Sequence, residues 1–331
     1  MTRAPWLALA LLLLACLALA VGVSVGSTGF DSLRHALQDP VARQIVAEIR
    51  LPRTLGAWLT GALLGLGGAV AQGLFRNPLA DPFLLGSASG AMLAVAVALA
   101  WWGAPAAAAA LVPRLGLTGA AFVGALGGVM LTLLLAQGVQ HTLRLLLAGV
   151  VVGHVLGAVK DLVTLAAPEV LAAMVAFMLG NTSLIGWQAC GVMAAVLLPA
   201  LALAWALARV LDGLSLGEAT AHSLGLPLAP MRAALVSVLA LATGAAVAQA
   251  GLVGFVGLAA PHLVRSLARL THGPLVVLSA LMGGLLLAVA DIVARVLIAP
   301  QELPVGVLTA VLGGTYLLWL MYRRTRGGGG R

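Results

Sequence analysis

The stretch "RLPRTLGAWLTGALLGLGGAVAQGLFRNPLADPFLLGSASGA", residues 50–91, sets two apolar runs around one tight turn. Arg50 and Arg53 stand at the mouth of the first run, 55–74, which matches the about 20 residues that cross a hydrocarbon core of about 30 Å. "NPLADP" (77–82) follows, and its two prolines forbid a continuing helix and fix a turn. A second apolar run opens at residue 83. Neither run has a polar face, so both read as helices that span lipid.

Outward from there the same pattern fills the chain. Of 331 residues 62% are hydrophobic and 8% charged, against about 45–50% and about 25% in soluble domains. A globular core cannot absorb that excess. The chain reads as an all-α polytopic membrane protein, one transmembrane domain over 1–331, with apolar spans at 5–26, 55–74, 83–102, 119–137, 142–165, 189–208, 230–250, 251–268, 276–298 and 304–322. Residues 169–186, broken by Gly180, Asn181 and Gly186, read as a surface or re-entrant helix. "GLVGFVGLAAPHLVRSL" (251–267) carries glycines, a proline, His262 and Arg265, and reads as a broken span of the kind that lines a transporter cavity. The first apolar run resembles a signal peptide, but its length favours a retained helix.

The 41 glycines suit close helix packing in lipid. Cys16 and Cys190 lack any paired or metal-binding spacing and read as inert core residues. The net charge of +8 is scattered singly between spans, which marks topology better than nucleic-acid binding. Ten spans put both termini on one side. That side carries eleven cations against three acids, and the opposite side seven against seven. The positive-inside rule makes the terminal side cytoplasmic. Arg50 and Arg53 then face outward, against the bias, and need a separate reason. "GAVAQGL" (68–74) and "AAVAQAGL" (245–252) fall in oppositely oriented spans, either as an inverted repeat or by chance among many alanines.

Several chemistries have no residues to carry them. A P-loop needs a lysine after glycine, and the single lysine, Lys160, stands in "GAVKD". Any ATP and Mg²⁺ are therefore used by a partner, and no cofactor is expected on this chain. The six histidines show no metal-ligand spacing. His154 lies within a span, where a ligand or proton role competes with the blander reading of a histidine bonded to a neighbouring helix. An ion-driven secondary transporter would want buried charge at mid-span, and an intramembrane enzyme paired catalytic groups; the spans offer neither.

Three stretches together resemble a known family: 50–91, then "LGEATAHSLGLPL" (216–228) with "GLVGFVGLAAPHLVR" (251–265), and "ADIVARVLIAPQELPVGVLTAVLGGTYLLWL" (290–320). They are similar to the FecCD/BtuC-type permeases of ABC importers for iron–siderophore complexes, haem and cobalamin. The resemblance implies an inverted-repeat type II importer fold of about ten helices in the bacterial inner membrane. It implies a homodimer, two cytoplasmic ATPases and a periplasmic binding protein. Ferric siderophore leads as cargo only because it is the commonest in the family, with haem and cobalamin as alternatives.

The resemblance also assigns residues. Arg50, Arg53 and Arg295 would pair with carboxylates of the binding protein, as planar guanidinium forks do; binding lipid phosphate or anchoring helix ends is the alternative. Loop 211–228, broken at Gly217 and Gly225, would be the knob that seats in the ATPase, through Leu216, Gly217, Glu218, Ala219, His222, Ser223, Leu224 and Gly225. Glu218 would face a basic ATPase residue. Gly149, Gly153 and Gly157 repeat every four residues, a smooth stripe for helix packing, for the translocation pathway, or for both. The inner gate would lie at His141 and Thr142.

Overall fold

The computed structural model describes residues 4–26, 29–30, 39–103, 111–138, 142–223, 225 and 227–327. Lipid offers backbone groups no hydrogen-bond partners, so the apolar runs satisfy themselves as helices. In chain order these are α1 (Ala4–Ser24), α2 (Pro40–Ile45), a π-helical turn Val46–Arg50, α3 (Leu51–Leu74), α4 (Ser87–Trp102), α5 (Leu111–Leu135) and α6 (Thr142–Ala166). There follow α7 (Leu171–Leu179), α8 (Trp187–Ala206), α9 (Ala208–Ser215), α10 (Glu218–Ser223), α11 (Leu228–Ala250), α12 (Val256–Leu267), α13 (His272–Val296) and α14 (Val305–Gly327). A two-residue antiparallel ladder, Val25–Gly26 on Gly29–Phe30, is the only sheet among the described residues.

Seven helices are long and apolar enough to cross a membrane, and Ser87–Trp102 and Val305–Trp319 are shorter apolar ones. The expected eighth span is broken at its first glycines, whereas Pro261 lies inside the helix that follows. Residues 251–254 lie outside any helix, and α12 has 12 residues, about 18 Å of helix. Residues 169–186 form a short helix and a return loop that reaches the bundle: Asn181 N donates to Ala250 O at 2.8 Å, and Leu252 N to Phe177 O at 3.1 Å. Cys190 is buried, but Cys16 is exposed on the outer face of α1, so it is not the core residue expected. A helix packed on one side only leaves such a position facing outward.

The core is built on α3, nearly all of whose residues are buried, packed along α13. The sequence permits this because glycines face each other. A methyl group on Gly61 would overlap the Gly283 carbonyl oxygen, and one on Gly283 would overlap that of Gly61. The same device joins α4 to α5, where Gly90 and Gly124 each lie against the other's carbonyl. With no hydrophobic force between helices in lipid, such close backbone approach is the main source of packing energy.

Candidate functional site: an ion network, a groove and a knob

At the start of α3 and the end of α13 the structure gathers the expected arginines around a carboxylate that sequence reasoning missed. Asp291, wholly buried, lies one turn before Arg295 on α13 and is ion-paired with it. Arg53 reaches the same carboxylate through Nη2 at 3.1 Å and Nε at 3.3 Å, and its Nη1 donates to Glu302 at 3.0 Å. Thr182 Oγ1 donates to Asp291 Oδ1 from the return loop. Arg295 also donates to Gly22 O at 2.9 Å and to Thr54 Oγ1 at 3.1 Å. Arg50 is buried too, its guanidinium over Gly26.

Thus α1, α3, α13 and the return loop are tied at one point. Arg53 and Arg295 are both engaged within the chain. A buried guanidinium must find its acceptor nearby, and Asp291 and Glu302 supply it.

The second zone is a groove of about 570 Å³ between α6 and the turn 81–89. Asp81 N-caps the 3₁₀ turn Pro82–Leu85 by accepting from Phe83 N at 2.8 Å. Burial pushes the Asp81 carboxyl above its usual value, and the Phe83 N–H partly offsets this. The glycine stripe divides along its length. Gly149 is in contact with the Leu84 carbonyl, whereas a Cβ on Gly157 would meet nothing within 4 Å and one on Gly153 only the Ser89 hydroxyl. One end of the stripe packs and the rest is open to the groove. His154 is exposed into it and bonds Val150 O of its own helix at 2.8 Å, where a neighbouring helix was the bland expectation. Thr142 opens α6; His141 lies outside the described residues.

The third zone is the loop between α8 and α11. It folds as α9 and α10, hinged at Gly217 (φ +109°) and followed by Gly225 (φ +73°), where the left-handed backbone suits glycine. Leu216, Gly217, Glu218, Ala219, His222, Ser223 and Gly225 fall on this knob, and Leu224 lies outside the described residues. Glu218 accepts from Arg232 of α11 at 2.5 Å, so its carboxylate is engaged within the chain. Asp212 accepts from His272 N at 3.0 Å and lies 2.7 Å from its Nδ1. That carboxylate caps α13 from another element, since Thr271 makes no side-chain cap. The knob is therefore fastened to α11 and α13.

A family model described as the FecCD transport family matches residues 9–323. The hemin transport system permease protein HmuU of Yersinia pestis is 37% identical over 328 residues, covering 97% of this chain and 96% of that protein. The vitamin B12 import system permease protein BtuC of Escherichia coli O9:H4 is 38% identical over 289 residues, covering 87% and 86%. A solved metal-chelate type ABC transporter in an inward-facing conformation superposes with a TM-score of 0.86 at 28% identity, covering 96% and 99%.

Proposed function

The chain belongs to the FecCD transport family, and from that premise we propose that it carries a metal chelate inward as the permease of an ATP-driven importer. The single observation that carries the reading is the groove along α6. It is open, lined by glycines and a few polar groups, and set in a bundle whose spans otherwise carry almost no charge. Such a wall lets a bulky chelate pass without strong hooks. The chain does no covalent chemistry on its cargo.

The working unit is a homodimer in the inner membrane, with both termini cytoplasmic and the two grooves facing across the dimer axis. The exposure of α6, the least buried of the long apolar helices among the described residues, supports a second copy there. Two cytoplasmic ATPases take up the knob 211–228, whose anchors on α11 and α13 would carry its movement to the spans. The periplasmic binding protein lands at the outer ends of α2, α3 and α13, near Arg50, Arg53 and Arg295. A partner carboxylate there would compete with Glu302 for Arg53, because Glu302 is the more exposed of its two acids.

A tetrapyrrole-type metal chelate leads as cargo, since relatives named for hemin and for vitamin B12 align over most of the chain. The ferric siderophore favoured by family frequency is the comparison cargo. The test is retention of the cognate ATPase on affinity-purified permease in lipid nanodiscs. Retention that is lost when 216–225 is replaced by a Gly-Ser linker supports the reading. Retention unaffected by that replacement contradicts the assignment of the knob.

A further inference from the structure

His154 stands at the midpoint of α6, exposed into the groove. Its Nδ1 lies 2.8 Å from Val150 O. A carbonyl oxygen only accepts, so Nδ1 is the donor in this bond, and Nε2 is the ring nitrogen left for a ligand. Asp161 stands two turns further on the same face, ion-paired with Lys160. Gly153 and Gly157 put no side chain beside the ring. The imidazole is thus the one nitrogen ligand that the groove lining offers.

Among the described residues no group of three or more His, Cys, Asp or Glu could hold a metal ion. One lone nitrogen therefore suits a metal that brings its other ligands with it. Iron or cobalt held in a planar macrocycle keeps axial positions for an imidazole. Iron in a hexadentate siderophore is saturated and keeps none.

We propose that His154 Nε2 is a transient axial ligand for the metal of a tetrapyrrole chelate halfway through the pathway. This rests on the permease reading and names the residue that handles the cargo. As the metal–Nε2 bond forms, the bond from the metal to an axial water or to the delivering ligand breaks. No electron is transferred, and the Nδ1 proton stays on the Val150 bond. The weak single hold positions the macrocycle across the groove and is released by ligand exchange.

The test uses the permease with its ATPase partner in nanodiscs, titrated with ferric haemin and followed by absorption and electron paramagnetic resonance. Wild type should give the spectrum of nitrogen-ligated haem. H154A should lose it, bind haemin about tenfold or more weakly, and regain the signature with added imidazole. Metal-free protoporphyrin should bind both proteins alike. In proteoliposomes H154A should slow haemin uptake. An unaltered haemin spectrum and affinity in H154A would overturn the proposal. Failure of the permease reading looks different: wild type would then accumulate no chelate, while the spectra still decide the ligand.

Discussion

Asp291 and Arg295 lie four residues apart on α13, ion-paired and almost wholly buried, and Arg53 of α3 binds the same carboxylate. One acid thereby ties the start of α3 to the end of α13. Its removal would leave two guanidinium groups without their main partner.

D291L should therefore destabilise the fold by about 3–5 kcal/mol, the cost of breaking a buried pair from one side. Removing the cations as well, in D291L/R53L/R295M, should recover part of the loss. Denaturant unfolding in detergent micelles measures both. A single variant as stable as wild type would mean the network is incidental.

The Arg53–Glu302 bond gives docking a distinct signature. Glu302 lies partly exposed while Asp291 is buried. E302Q should free one arm of Arg53 and tighten binding-protein affinity several-fold, and R50E should weaken it. Surface plasmon resonance on nanodiscs reads both, and unchanged affinity in the two variants removes these residues from the docking site.

The spans and turns were legible because their signals are local. Apolar runs gave the helices, "NPLADP" gave the turn, and Gly217 and Gly225 marked the hinges of the knob. The broken span at 251–268 could be read from its glycines. The ion network was not legible, because Arg53 meets Asp291 across 238 positions and Glu302 across 249. Nothing in one sequence fixes such pairings. One clue stood in the open: Asp291 and Arg295 occupy i and i+4 of an apolar helix, and charges placed so are seldom idle. For the same reason Glu218 looked free for a partner until Arg232 was seen beside it.

That pair makes a charge-swap experiment informative. E218R should sharply reduce ATP-driven uptake by placing two cations together at the base of the knob. E218R/R232E should restore a substantial part by rebuilding the pair in reverse. If the double variant is no better than the single, Glu218 acts outside the chain, on the ATPase.

Asp81 sets a pH dependence. Its carboxyl is raised by burial, so the native state binds the proton more tightly than the unfolded chain. Stability then falls as pH rises from the ordinary carboxylate value through the raised one, and is level above it. D81N keeps the acceptor for Phe83 N and removes the charge. Its thermal midpoint should exceed that of wild type at pH 7 and converge with it in acid. A variant less stable at pH 7 would show that the carboxylate's cap outweighs its burial.

The central claim is that this chain moves a metal chelate only when a partner hydrolyses ATP. The direct measurement is haemin and ferric trihydroxamate uptake into proteoliposomes holding the permease, its cognate ATPase and its binding protein. The account predicts accumulation of at least one chelate with wild-type ATPase, abolished when the ATPase binds ATP but cannot hydrolyse it. Accumulation that survives the inactive ATPase and follows an ion gradient instead would contradict it.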